Sequence, residues 1–477
     1  FKVINTRLSP VLGWGWAIAT LMANVVWCLP QFSLGTAAIR QNLLPGLPTE
    51  VAGVNASFAV GLVMLAIAVA VIWSYGAGAK GIRVFEWILK GMVALIVLSF
   101  LGVVLRLLTA EGGLELGALL KGFVPKPSML ASPSPDFAPF LAAIDPQWAE
   151  FWSDRIVNSQ RDIMISAGAT AVGINMTFLL PYSLLAKGWN RDFRGLARFD
   201  LATGLLIPFV LVTTCVVAAS AAQFHARPPA LLFADEATAT ISPDAPASAV
   251  AKFNSEAAAR VRAQHGEELA ALSGDAAAAR LAELVHGLDP AERRVAAMLV
   301  RRDAFDLANA LEPLTGPAFA QKIFGIGVVG MALSTIIILM LINGFAVCEM
   351  LGVPSKGWPH RLGCLIPGLG VLAPFIWGTD QAQFWLVVPT SVFGMALLPI
   401  AYFSFLLLMN SKAALGDAMP RGASRAAWNT LMVLATGLAS VGAFWSLWSR
   451  AGWTGIGIVA AVVVLAVMWR RARPPRA

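Results

Sequence analysis

The chain has 477 residues, 58% of them hydrophobic and only 13% charged, about half the charged share of a soluble domain. Such a chain cannot cover itself with polar groups, which excludes a water-soluble globular protein. The formal net charge of +8 is confined largely to short segments between apolar runs, so it follows a membrane topology and does not mark a nucleic-acid surface. No GxSxG, HExxH, Walker-type or CxxC constellation occurs, and enzyme classes built on those arrangements are excluded with it.

Crossing hydrocarbon takes about 20 apolar residues at about 1.5 Å each. In chain order, such runs fall at 11–36, 57–76, 84–105, 163–186, 201–222, 319–350, 362–378, 383–409, 427–447 and 453–469. The expectation is an all-α polytopic membrane protein with about ten transmembrane helices. The opening, Phe1 followed by polar Lys2, Asn5 and Arg7, has no apolar signal region and predicts a partial or processed chain. Cys28, Cys215, Cys348 and Cys364 all fall within predicted spans, where a thiol serves packing, and no disulfide framework or metal-thiolate cluster is expected. The sixteen tryptophans, among them Trp14, Trp16, Trp385 and Trp453, cluster near span ends and read as interfacial anchors.

Alternate short loops carry the cations: Lys80 and Arg83; Lys187, Arg191, Arg194 and Arg198; Lys356 and Arg361; Lys412, Arg421 and Arg425; and the tail Arg470, Arg471, Arg473 and Arg476. The short loop Gly378–Gln383 has no Lys or Arg, and Ser449–Gly452 has only Arg450. By the positive-inside rule both termini are cytoplasmic and the long loops 107–162 and 224–318 are outside. The expected organisation is membrane helices over 1–223, an extracytoplasmic Ala-rich helical insertion over 224–318, and membrane helices over 319–477. The loop 107–162 is rich in proline and reads as irregular, with a short amphipathic piece near Pro146–Trp152. In the insertion, His265 and His286 read as solvated surface residues.

The fourth span holds Gly168, Gly173 and Pro181 around Ile174-Asn175-Met176-Thr177. Broken backbone at membrane depth is tolerated where it faces protein or a water-filled cavity. Two readings of the residues stand. One is a discontinuous helix whose unwound carbonyls and half-helix ends form a binding site near the midplane; the other is a Gly-kinked span whose Asn175 bonds a neighbouring helix. No ionisable side chain is placed at membrane depth: His225, His265, His286 and His360 fall in loops, and Glu86, Asp200 and Glu349 near span ends. That pattern favours passive or weakly coupled flow over proton symport.

Several segments in order resemble the natural resistance-associated macrophage protein (NRAMP) family of divalent-metal transporters, especially its NRAMP-related magnesium-transporter branch. Trp14–Thr36 resembles the family's third helix, Phe324–Leu351 its eighth, and Leu397–Gly416 its tenth with the polar turn that follows. Ile174–Ser183 occupies the place of the broken sixth helix. The resemblance covers most of the membrane part and none of 224–318.

The resemblance implies a LeuT-like inverted-repeat transporter fold, entered at the third family helix, so that the first two helices and their Asp-Pro-Gly-Asn metal motif have no match here. Anchoring on Tyr182-Ser183 places Asn175 where the family has a methionine ligand and Thr177 where it has a histidine; anchoring on the methionine makes Met176 the sulfur ligand. Gly173 and its neighbouring carbonyls complete that set, and Ser391 stands where the family often has a glutamine near the metal, or simply bonds its own helix. Asn343 and Thr335 carry the same two readings. Oxygen donors suit Mg²⁺ or Mn²⁺, while thioether suits softer ions. The implied function is inward movement of a divalent cation by alternating access, with no resident cofactor, and the expected bilayer is a bacterial inner membrane. An organic solute such as an amino acid on the same broken helix is the alternative, and a non-transporting scaffold is a further one.

Overall fold

In the computed structural model the chain is described at residues 1–51, 53–74, 79–109, 116–122, 124, 126–171, 173–186, 188–302, 306, 308, 311–312, 316–377 and 387–471, some helical positions such as 79–86 and 465–471 by backbone alone. The Gly378–Gln383 loop, Trp385, Lys187, Arg473 and Arg476 lie outside the described residues.

The long helices are α1 (Pro10–Ala37), α2 (Ala56–Ser74), α3 (Ala79–Thr109), α4 (Pro146–Ala171), α5 (Ile174–Ala186), α6 (Arg194–Leu201), α7 (Ile207–Phe224), α8 (Ala247–Ala270), α9 (Gly274–His286), α10 (Pro290–Met298), α11 (Pro317–Leu351), α12 (Gly357–Leu365), α13 (Ala373–Trp377), α14 (Val387–Met409) and α15 (Gly422–Arg471). Among the described residues, eight helical stretches are long and apolar enough to cross a bilayer: 10–43, 56–74, 146–185, 191–224, 319–351, 357–376, 387–409 and 422–457. The chain is a multi-pass integral membrane protein. Of the ten expected spans, 84–105 lies within α3, and 427–447 and 453–469 lie in one helical run interrupted at Gly452, whose φ of 52° only glycine adopts freely.

Two compact units divide the chain. One comprises Phe1–Ile96, Met164–Val210 and Gln321–Ala477; the other comprises Val97–Ile163 and Leu211–Ala320. In the first, α1 is the central element. It buries Trp16, Ala17, Ala23, Cys28 and Phe32 against α5, α11 and α14, and it also buries the polar Thr20, Asn24, Gln31, Ser33 and Thr36. Small residues let the backbones close in: a Cβ added to Gly363 would lie 3.0 Å from the Cα of Gly344, and one added to Gly370 would lie 2.8 Å from a backbone carbon of Cys28. Gly370 sits in the 3₁₀ stretch Ile366–Leu372 that links α12 to α13, where Pro367 removes a backbone donor. Gly370→Leu should therefore destabilise this unit by about 1–3 kcal/mol or more through overpacking. Thermal unfolding in detergent checks it, and an unchanged midpoint contradicts the close approach.

The second unit has a core of Phe137, Trp152, Ile156, Leu232, Phe253, Val261 and Val295. The Ala-rich stretch forms α8, α9 and α10, but it also contains a hairpin, β3 (Phe233–Asp235) against β4 (Thr240–Ile241), which the helical spacing did not signal; β1 (Glu50–Val51) and β2 (Val54–Asn55) make another. The amphipathic piece at Pro146–Trp152 is the first two turns of α4. Asp145 starts that helix by accepting the Gln147 N–H at 3.0 Å, Pro146 takes the first position, and no helix breaker intervenes before Gly168.

His360 is a correction as well. It lies in α12 within a candidate span, not in a loop, with its ring centroid 5.0 Å from that of Phe345. The span begins at Gly357, five residues before the expected start, because its first turn is held by packing and not by hydropathy. His225 follows α7 directly and meets Asp136 at 2.8 Å; that bond, with one from Ser134, holds the Asp136 carboxyl below the usual range. His265 pairs with Glu268 at 3.0 Å.

Candidate functional site

The helix of the fourth span is interrupted. α4 is described as far as Ala171, Gly173 is outside any helix, and α5 starts at Ile174, with Val172 outside the described residues. A helix end leaves its last four carbonyls and first four N–H groups without intrahelical partners. The C-terminal turn of α4 and the N-terminal turn of α5 therefore bring both kinds of group to the same break.

Asn175 and Thr177 are the buried side chains of the first turn of α5, at 7% and 9% exposure, while Met176 between them is 42% exposed. A helical turn sends adjacent residues in different directions, about 100° apart, so Met176 does not share the buried face. The Asn175 side chain folds back over the break. Its Oδ1 accepts the Met176 N–H at 2.9 Å and occupies the space that a Cβ on Gly173 would need. The Met176 N–H is shared with the Gly173 carbonyl at 3.1 Å. Because an amide oxygen has two lone pairs, Oδ1 keeps one for a further partner.

Thr177 donates its hydroxyl to the Ile174 carbonyl at 2.5 Å and accepts Trp16 Nε1–H at 3.1 Å. That indole ties α5 to α1. Below it runs an aromatic column: Trp16 to Phe178 at 4.9 Å, Phe178 to Tyr182 at 5.2 Å, Tyr182 to Phe345 at 6.0 Å. Aromatic pairs at such distances contribute beyond their area, and they fill the space beside α5 on the side C-terminal to the break.

Ser391 is fully buried in the second turn of α14, with its hydroxyl donated to the Val387 carbonyl at 2.5 Å. Thr335 similarly bonds Met331 at 2.8 Å. Both follow the bland reading of a hydroxyl satisfied by its own helix. The break thus brings together Gly173, Asn175 and Thr177; Ser391 makes no recorded hydrogen bond to them. Asn343 instead accepts from Asn24 Nδ2 at 3.0 Å, a fully buried amide pair between α11 and α1. Sequence reasoning missed Asn24, although an Asn inside an otherwise apolar run at membrane depth was the available signal. Among the described residues no group of three His, Cys, Asp or Glu stands close enough to hold a metal.

Two solved structures have the same arrangement of helices. Over 98% of this chain and 80% of theirs, two mutants of the manganese transporter of Eremococcus coleocola superpose with a TM-score of 0.50, at 12% and 13% identity. The fold is theirs. It is the LeuT-like inverted-repeat transporter fold expected from the sequence. Independently, the sequence model of the Nramp family, described as natural resistance-associated macrophage protein-like, matches residues 285–449. That segment covers α11 to α14 and most of the span that opens α15, and includes Asn343 and Ser391 but not the break. No curated protein matches the chain in sequence.

Proposed function

We propose that this protein is a secondary transporter or facilitator that moves a divalent cation, Mg²⁺ or Mn²⁺, by alternating access, with the break between α4 and α5 as its ion site. The observation that carries the reading is the interruption at Gly173, with a buried amide oxygen turned over it. The fold shared with manganese transporters and the Nramp match over 285–449 support the same class of function, as against catalysis. The donors on offer are the carbonyls of the last turn of α4, the Asn175 Oδ1 and the Thr177 hydroxyl oxygen. All are hard oxygen atoms, which suit Mg²⁺ and Mn²⁺. Mg²⁺ parts with water reluctantly and is normally held by few protein ligands, so a neutral site of this kind fits a partly hydrated ion. Met176 and Ser391 stand outside this set, the first by exposure and the second by its bond to Val387.

The negative end of α4 meets the site and favours a cation; the positive end of α5 meets it too and favours an anion. The second feature is the one that favours the alternative, an organic solute whose carboxylate sits on the α5 N-terminus. Cation transport is preferred because the buried side chains at the break offer oxygen toward it. The chain is proposed to lie with both termini in the cytoplasm of a bacterial inner membrane and 224–318 outside, following its cationic short loops. Proton coupling is proposed to be weak, since the break carries no carboxylate among the described residues.

The test is flux into proteoliposomes. Mn²⁺ and Mg²⁺ entry should be saturable, indifferent to an imposed proton gradient, and reduced roughly tenfold or more by Asn175→Ala, the scale on which a lost metal contact acts. Saturable amino-acid entry without cation entry would replace this reading with the alternative.

A further inference from the structure

Away from the break, the segment that opens the helical stretch at Arg191 lines a cavity of its own. Asn190 Oδ1 accepts the Asp192 N–H at 2.8 Å and starts a helical segment that runs through the 3₁₀ turn Arg191–Phe193 into α6. One edge of this segment carries Phe193, Leu196 and Phe199, three residues apart and all exposed, Phe199 at 64%. The other carries Arg191, Arg194 and Arg198, which line a cavity of about 460 Å³ together with Ser424 and Trp428. Apolar residues exposed on one edge and arginines on the other suit the end of a membrane helix at the level of the membrane–water interface.

The depth of the cavity follows from its walls. One candidate span begins at Arg191 and another at Gly422, so both walls are the first turns of membrane helices. Trp428 belongs to the aromatic belt of that boundary, and the Arg198 guanidinium stands 5.0 Å over its ring. Arg194 donates Nε–H to the Arg191 carbonyl at 3.1 Å, which fixes the direction of its guanidinium. None of the three arginines forms a salt bridge among the described residues, and Asp192 is the one carboxylate in the lining. Three guanidiniums against one carboxylate leave a net positive cavity at headgroup level, and guanidinium is the side-chain group best matched to phosphate oxygens.

We propose that this cavity binds the phosphate headgroup of an anionic phospholipid, its acyl chains lying along Phe193, Leu196 and Phe199. A soluble phosphate offers the same oxygens but no acyl chain, so the exposed aromatic edge favours the lipid. The site differs from a general attraction of cations to the membrane surface because its arginines line one cavity: Gly195 lines it too, and a Cβ placed there meets nothing within 4 Å, so a large side chain at that position has room to occupy it.

Full-length protein is purified in detergent, mixed with phosphatidylglycerol and phosphatidylcholine in equal amounts, and examined by native mass spectrometry. The wild type should retain phosphatidylglycerol preferentially. Arg194→Gln and Arg198→Gln should each weaken that preference roughly fivefold, the contribution of one cation near an anionic surface. Gly195→Trp should abolish it by filling the cavity with the charges intact. All these side chains are exposed, so the variants should elute as the wild type does. Inorganic phosphate at millimolar concentration should leave the lipid adduct in place. Equal phosphatidylglycerol retention by all variants overturns the site, and displacement by inorganic phosphate overturns the lipid in favour of a soluble anion.

Discussion

Glu292→Ala should destabilise the unit formed by 97–163 and 211–320 by about 3–5 kcal/mol, because it strands a buried cation. Arg260 is 2% exposed, and Glu292 takes its Nε–H at 2.6 Å and its Nη2–H at 3.2 Å. The same carboxylate accepts Trp152 Nε1–H at 2.9 Å, and the guanidinium lies 3.1 Å over the Trp148 ring. Three side chains from two other helices, Arg260, Trp152 and Trp148, therefore depend on one pair of carboxylate oxygens. Removing both ionic partners, as in Arg260→Met with Glu292→Leu, should be nearly neutral by comparison, since the desolvation of two charges is relieved at the same time. Denaturant unfolding of the full chain, followed by tryptophan fluorescence, separates the cases. A loss under about 1 kcal/mol in Glu292→Ala would mean that water reaches the pair.

The second large effect is on function. Gly173→Val should leave folding near wild type yet reduce cation flux roughly tenfold or more, through the contact it denies Asn175. The Cβ would fall where Asn175 Oδ1 now lies, and the amide is a short side chain that can rotate away, so the backbone need not move. That rotation takes the oxygen off the break. Gly370→Leu is the contrasting case, since its Cβ meets backbone and the damage there falls on stability. If Gly173→Val and Gly370→Leu behaved alike in both assays, the distinction between a site glycine and a packing glycine would fail.

The fold was legible where lipid imposes it. Runs such as 57–76 and 319–350 are apolar on every face, and α2 and α11 follow them within a few residues. Helix boundaries set by other physics were not. α4 starts seventeen residues before the expected span because its first turns are buried by their tryptophans and capped by Asp145, features a hydropathy window averages away. α12 starts at Gly357 because His360 packs on Phe345. The two-stranded pairing of 233–235 with 240–241 needs only five residues and leaves no periodicity to read.

The candidate site was partly legible. Gly173 with Asn175 and Thr177 two and four residues after it in an apolar run announces a break with polar groups, and that much needs no coordinates. Which of Asn175 and Met176 turns inward does not follow from sequence spacing, since the answer depends on where the helix restarts. The start at Ile174 decides it by burying Asn175 and Thr177. The amide pair of Asn24 with Asn343 joins residues 319 apart in the chain, and nothing local to either residue identifies its partner.

The most direct measurement locates the ion: anomalous diffraction or cryo-electron microscopy of the protein with Mn²⁺, compared with Asn175→Ala. The account predicts metal at the break, at a bonding distance of about 2.1 Å from Asn175 Oδ1, with the peak lost in the variant. Metal bound elsewhere with the break empty, or a helix that runs without interruption from α4 into α5, would contradict it.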